Sequence, residues 1–172
     1  MNLKKTLCIA LSVAAIFCTA LTSCGGNSEN TNADSASAAV SDAEEKNVDV
    51  TQVADSLKNK ITYKDQLNEL SDDMIQKIYS LSVESDYTKA KVYVGSGGTT
   101  AEEIACFETD SQEKSDKVKA ALEKRIESQK SAFENYQPKE MDKLNDPVLI
   151  QKGNNVFMCI SDDNQTAKDI IG

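Results

Sequence analysis

The sequence contains no histidine in its 172 residues, and Arg125 is its single arginine. Ser-His-Asp triads, Cys-His pairs and most zinc sites need an imidazole, so these classes of site are excluded. A Cys-x-x-Cys pair is also missing, which removes the usual signal of a dithiol redox site. We therefore expect no metal and no cofactor, and we favour a binding role over an enzymatic one.

The N-terminal segment has the features of an export signal. Lys4 and Lys5 precede an uncharged apolar run over residues 6–20, and this run is shorter than the roughly 20 residues that span a bilayer. The next four residues, LTSC, resemble the bacterial lipobox. That resemblance implies a signal peptide over 1–23 and a diacylglyceryl and palmitate anchor on Cys24. A plain secreted protein with a cysteine near its cleavage site is the alternative.

Residues 24–47 are expected to act as a disordered tether behind the lipidated cysteine. From residue 25 the segment has no aromatic residue, leucine or isoleucine and is rich in Ser, Asn, Asp and Glu, so it cannot bury enough apolar surface to fold. Removing Lys4 and Lys5 from the 19 basic residues leaves 17 against 28 acidic ones, a net charge of −11. This acidity argues against nucleic acid as a partner. The predicted localisation is the extracytoplasmic face of the cell membrane.

Residues 48–172 are predicted to form a single α+β domain with the element order α-α-β-β-α-β-β-α. Hydrophobic periodicity predicts helices near 50–61, 71–81, 111–136 and 164–171, and strands near 87–95, 103–108 and within 147–163. In the last hairpin, a turn at Gly153-Asn154 would set Val148 opposite Cys159. We expect a four-stranded antiparallel sheet from two hairpins joined by a long amphipathic helix, with helices over one face. A split into two small sheets is the alternative.

Three strings of the sequence together resemble a known family. They are YVGSGGTTAEEIACFE, EKRIESQKSAFENYQP and KGNNVFMCIS, and they are similar to the extracytoplasmic domain of unknown function 4358, found mostly in lipoproteins of Gram-positive bacteria. The resemblance covers approximately residues 50–171. It implies a location and a fold, but no activity, cofactor or catalytic residue.

Arg125 is the main candidate site residue, because it lies on the apolar stripe of the long helix. A buried guanidinium needs a carboxylate partner, and Glu102 and Glu103 at the start of the second strand are suitable. The position of Arg125 on the apolar stripe favours a structural ion pair with one of these carboxylates. The alternative is a small-anion site, since a planar guanidinium suits carboxylate ligands.

Other polar motifs are interpreted as structural. The GSGGTT segment favours a hairpin turn over a phosphate loop, because a strand and not a helix follows it. The adjacent acids Asp72-Asp73, Glu102-Glu103 and Asp162-Asp163 favour a solvated surface over a calcium site or general acid catalysis. For Cys106 and Cys159 we expect apolar packing and not a disulfide. A disulfide is the alternative, and it requires that the two cysteines lie on neighbouring strands with their side chains on one face.

Two functional hypotheses follow. The first is a lipoprotein that binds an extracytoplasmic partner through an uncovered sheet face or an edge strand. The second is a small-anion sensor or His-independent hydrolase centred on Arg125. An open sheet face would favour the first, and a deep pocket that holds Arg125 with two carboxylates would favour the second.

Overall fold

The computed structural model describes residues 48–172. The predicted signal peptide, Cys24 and the predicted tether therefore lie outside the described residues. The strands are β1 (Leu67–Glu69), β2 (Lys89–Gly95), β3 (Glu103–Glu108), β4 (Val148–Lys152) and β5 (Asn155–Ile160). The helices are α1 (Val50–Lys60), α2 (Asp72–Tyr79), α3 (Gln112–Tyr136), α4 (Met141–Asn145) and α5 (Asn164–Ile171), with a 3-10 turn at Pro138–Glu140.

The described strands form one antiparallel sheet in the order β1-β2-β3-β5-β4. The α+β class, the two hairpins and the long connecting helix are confirmed, and the split into two sheets is wrong. The prediction of four strands is also wrong, because β1 pairs with β2 from Leu67↔Gly95 to Glu69↔Tyr93. β1 has only three residues, which is too short for a period-two pattern to emerge from the sequence.

The β4–β5 hairpin has the predicted register. Lys152 lies opposite Asn155, and Val148 lies opposite Cys159. Gly153 takes a positive φ of 51° in the two-residue turn, a conformation that glycine adopts without steric cost. A one-residue slip would turn every side chain of β5 to the other face of the sheet, so this turn determines which apolar residues meet which helices.

Helices cover both faces of the sheet, so the expectation of helices over one face is wrong. The first face carries Val156, Met158 and Ile160 into a core with α2, α3 and α4. The second face carries Phe157 and Cys159 into a core with α1 and α5. The uncovered sheet face considered as a binding surface is therefore absent from residues 48–172.

The long helix α3 has identifiable start and stop signals. The Ser111 hydroxyl caps it by accepting a 3.3 Å hydrogen bond from the Lys114 N–H, as expected for an N-cap serine. Its buried stripe consists of Ser115, Val118, Leu122, Ile126 and Gln129. Pro138 follows its last residue by two positions, where it cannot continue the helix. This stripe places Gln129, and Arg125 beside it, against the first sheet face.

Candidate functional site

Glu102 and Glu103, at the start of β3, project to opposite sides of the sheet. Successive strand residues alternate between the two faces, and Ile104 belongs to the α1 core while Ala105 belongs to the α3 core. Glu103 therefore faces α3 and Glu102 faces away from it. Both carboxylates are buried, with 2% of Glu102 and 1% of Glu103 exposed, so the prediction of a solvated surface for this pair is wrong. Each one needs its own set of donors, because burying an unpaired charge is costly.

Glu103 is held by a buried network from α2 and α3. The Arg125 guanidinium donates to both of its oxygens: Nη2 lies 2.8 Å from Oε2, and Nε lies 3.1 Å from Oε2 and 3.3 Å from Oε1. The Tyr79 hydroxyl donates to Oε1, and the Gln129 amide nitrogen donates to Oε2. Bidentate Arg–carboxylate contacts are among the stronger protein hydrogen bonds. The structure thus places Arg125 against Glu103 and not against Glu102.

The ionisation of this network is determined by burial and by the Glu103 charge. Burial and the negative charge of Glu103 raise the pKa of Tyr79 well above its usual value. Burial works to lower the pKa of Arg125, but Glu103 outweighs it and the pKa is raised. The Arg125 guanidinium is therefore charged, and it lies directly against the Glu103 carboxylate. Gln129 Oε1 is buried without a hydrogen-bond partner among the described residues.

Glu102 belongs to a second network, centred on Lys143. Lys143 Nζ lies 2.9 Å from Glu102 Oε1 and 2.9 Å from Glu140 Oε2, and 1% of the lysine side chain is exposed. Glu102 also accepts the backbone N–H groups of Lys64 and Asp65 at 2.9 to 3.1 Å. Glu102 therefore holds the segment between α1 and β1 against the end of the sheet.

The Lys143 ammonium is charged in spite of its burial. Burial works to lower its pKa, but the hydrogen bonds that it donates to Glu140 and Glu102 outweigh this effect, and the pKa is raised. The outer side of the network is open to solvent, where Lys64 Nζ lies 2.9 Å from Asp162 Oδ2. Sequence reasoning missed Lys143 and Glu140, because they lie in the Pro138–Asn145 segment, for which no element was predicted. The signal available in the sequence was the three-residue spacing of Glu140 and Lys143, which makes two side chains neighbours on a helix.

The glycine-rich turn between β2 and β3 already surrounds a carboxylate of its own chain. Asp65 Oδ2 accepts the Gly97 N–H at 2.6 Å, and Asp65 Oδ1 accepts the Ser96 hydroxyl at 3.0 Å. These hydrogen bonds lower the pKa of Asp65. The hairpin interpretation is thus confirmed, and the donors that a phosphate would need are used by Asp65.

Cys106 and Cys159 are free and buried. They lie on neighbouring strands and on one face, but Cys159 pairs with Ile104 and Cys106 pairs with Phe157. The two cysteines are therefore diagonal neighbours, roughly 7–8 Å apart at Cα, beyond the usual disulfide range. Burial raises the pKa of both thiols, and in Cys159 it outweighs the opposing hydrogen bond from Tyr63.

The raised pKa values of these thiols predict that the fold loses stability at alkaline pH. In the unfolded chain they ionise near pH 8.5, whereas the raised pKa keeps them protonated in the fold. Above that pH the unfolded state holds fewer protons, so the free energy of unfolding falls, by up to about 1.4 kcal/mol per pH unit for each thiol that stays protonated in the fold. Urea unfolding between pH 7.5 and 10 should show this slope. In the Cys106→Ala/Cys159→Ala variant the slope should nearly vanish below pH 10, and an unchanged slope would contradict the assignment.

The adjacent acids considered for calcium do not converge. Asp72 accepts a 2.8 Å hydrogen bond from the Tyr87 hydroxyl, and Asp162 joins the Lys64 ion pair. Asp163 caps α5 by accepting the Thr166 N–H at 3.0 Å. Within residues 48–172, no group of three or more Cys, Asp and Glu side chains is placed to hold a metal ion.

A groove of about 580 Å³ lies between α1 and α5, on the outer side of the second helical layer. Val53 and Ile170 contribute apolar surface to it. Asp49, Lys60 and Asp169 contribute charged groups. Its volume falls in the range of small-molecule and peptide sites, and sequence reasoning missed it because nothing local indicated which faces of the two helices would be neighbours.

The fold is thus a three-layer α+β domain with two buried charge networks at the start of β3. Residues 59–161 match the model of the family described as domain of unknown function (DUF4358), and the chain belongs to this family. The family expected from the resemblance is therefore confirmed. No curated protein and no solved structure matches the chain. The matched range includes Glu103 with Arg125 and Glu102 with Lys143, whereas nearly all of α1 and all of α5 lie outside it.

Proposed function

We propose that this chain is a bacterial lipoprotein, anchored through Cys24 on the extracytoplasmic face of the membrane, that acts as a non-enzymatic binding or accessory module. The observation that supports the binding role best is the pairing of the buried charges. Glu103 is neutralised by Arg125, and Glu102 is neutralised by Lys143. A catalytic acid, base or nucleophile must reach a substrate, and these groups are turned toward each other.

The proposed anchor rests on the sequence and on chemistry. The LTSC string ends at Cys24, after an apolar run too short to span a bilayer. Two acyl chains hold a protein stably on a membrane, whereas one chain binds only marginally. No helix in residues 48–172 combines the length and hydrophobicity that a membrane crossing requires.

A second candidate function is a small-anion sensor or a His-independent hydrolase centred on Arg125. Two observations favour it. The Arg125 side chain remains 26% exposed in spite of its contact with Glu103, and Gln129 Oε1 lacks a partner in the described part of the chain. An anion would have to compete with Glu103 for the guanidinium, which makes this candidate weaker than the binding module.

The anchor is tested by replacing Cys24 with alanine in the full chain. We expect the wild type to incorporate labelled palmitate and to enter the detergent phase of a two-phase extraction. We expect the Cys24→Ala chain to do neither, because it has no thiol to accept the diacylglyceryl group. Cys106→Ala is the matched control and should behave as the wild type. Membrane retention of the Cys24→Ala chain would overturn the proposed anchor.

The binding role is tested with residues 24–172 carrying Cys24→Ser, immobilised and exposed to surface extract from the source cells. We expect saturable capture of a defined protein or peptide, without turnover of it. Arg125→Lys, which keeps the charge, should capture the same partner with the same affinity. Release of a cleaved product would overturn the non-enzymatic assignment.

A further inference from the structure

The groove between α1 and α5 has charges of opposite sign at its two ends. The Asn155 amide reaches the Val48 carbonyl oxygen, and Lys152 Nζ donates to the Ile171 carbonyl oxygen. Lys152 and Asn155 are paired across the β4–β5 turn. The start of α1 and the end of α5 therefore lie at the same end of the sheet, and the two helices run antiparallel.

This arrangement makes one end of the groove acidic. Asp49 caps the start of α1, and Asp169 lies on the last turn of α5. Hydrogen bonds from Thr51 lower the pKa of Asp49, so its carboxylate is charged. Lys89 approaches Asp49 only to 3.9 Å and is itself exposed. Gln165 donates to Asp169 Oδ1, and Thr51 donates to Asp49 Oδ1, so the second oxygen of each carboxylate is available to a cationic group. The Lys152 ammonium at this end donates to the Ile171 carbonyl oxygen and does not line the groove.

The other end of the groove is basic. Lys60 is the last residue of α1 and is exposed. The Tyr63 hydroxyl lies 3.6 Å from Cys159 Sγ, which places the end of α1 near the end of β5, where α5 begins. Ser56 and Thr166 contribute hydroxyl groups to the lining. The Asp163 carboxylate that caps α5 accepts the Thr166 N–H and does not line the groove. A carboxylate would therefore find a cation and two hydrogen-bond donors here.

The helix geometry determines the length of a ligand that could reach both ends. Asp49 and Lys60 lie at the two ends of α1, about 16 Å apart at a rise of 1.5 Å per residue. An extended peptide covers about 3.3 to 3.6 Å per residue, so about five residues span this distance. Val53 and Ile170 line the stretch between the ends, where small apolar side chains would pack.

We propose that this groove binds an extended peptide of about five residues with a cationic group at one end and a carboxylate at the other. The inference rests on the proposed binding function and names the chemistry of its ligand. The two charges come either from the free termini of a short peptide or from side chains within a longer one. Electrostatic complementarity of this kind determines the orientation of the bound peptide as well as its affinity.

The test uses ¹⁵N-labelled residues 24–172 carrying Cys24→Ser, titrated with three synthetic peptides. The first is Ala-Val-Ala-Val-Ala with free termini, the second is the same peptide acetylated and amidated, and the third is acetyl-Lys-Val-Ala-Val-Glu-amide. We expect saturable amide shifts over residues 48–60 and 164–171 with the first or the third peptide. The blocked second peptide should bind at least threefold more weakly. The first and third peptides together distinguish terminal from side-chain recognition.

Charge variants locate the two ends. Lys60→Gln should lower the affinity for the tighter-binding of the first and third peptides about threefold to fivefold. In that variant, amidating the peptide's carboxylate should cause no further loss of affinity. Asp169→Asn should lower the affinity by a similar factor, and blocking the peptide's cationic group should then cause no further loss. Lys58→Gln is the matched control, because the Lys58 ammonium lies over the Tyr93 ring, 4.1 Å from its centroid, and does not line the groove.

Three results would overturn the proposal. They are the absence of saturable shifts at 5 mM peptide, equal effects of Lys60→Gln and Lys58→Gln, and groove shifts that follow protein concentration and so report a second copy of the chain. The proposed function has separate readouts, since membrane anchoring depends on Cys24 and partner capture requires no peptide. A captured partner whose affinity is unchanged by Lys60→Gln would reject the groove while it supports the binding module.

Discussion

Replacing Lys143 with methionine is expected to lower the free energy of unfolding by about 3–5 kcal/mol. The Lys143 ammonium is the shared partner of Glu102 and Glu140, which are buried with 2% and 5% of their surfaces exposed. Methionine fills a similar volume but leaves the two buried carboxylates with only a distant, exposed cation, since Lys64 Nζ lies 4.0 Å from Glu140 Oε1. Urea unfolding at pH 7, followed by circular dichroism, measures the change.

Lys64→Met is the matched control for this variant. Lys64 pairs with Asp162 at 2.9 Å on the outer side of the same network, where both side chains are more than half exposed, and it approaches Glu140 only to 4.0 Å. Exposed ion pairs contribute about 1 kcal/mol or less, so this variant should remain near the wild type. If Lys143→Met also lost less than 1 kcal/mol, the Lys143 ammonium would not be what stabilises the two buried carboxylates.

The sequence predicted the local elements better than their assembly. The long helix α3 combines an N-cap serine, an apolar stripe and a following proline, and each of these signals is local. The β4–β5 register also follows from local information, because a two-residue turn at Gly153 permits one alignment. By contrast, the coverage of the second sheet face depends on α1 and α5, which are more than 100 residues apart in the chain.

The candidate site shows the same limit. The sequence identified Arg125, because a single arginine on an apolar stripe needs a partner. It could not choose between Glu102 and Glu103 as that partner, because the choice depends on which side of the sheet meets α3. That side is determined by β3 pairing with both β2 and β5. Lys143 was invisible to this reasoning, because lysine is usually exposed and a five-residue helix has too few positions to show a period.

Replacing Arg125 with methionine is expected to lower the free energy of unfolding by about 3–5 kcal/mol. The reason is that Glu103, with 1% of its surface exposed, would lose the cation that it is paired with in the fold. The Tyr79 hydroxyl and the Gln129 amide would still donate to it, but neither carries a positive charge. The measurement is urea unfolding at pH 7.

The double variant Arg125→Met/Glu103→Gln separates a structural ion pair from a ligand site. A neutral amide at position 103 removes the unpaired charge, so the double variant should be more stable than Arg125→Met alone, although it carries one more substitution. Phosphate, sulfate and acetate should leave the melting temperature of the wild type unchanged, because Glu103 already occupies the guanidinium. An anion that stabilises the wild type but not the double variant would place Arg125 in a ligand site and would favour the anion sensor over the binding module.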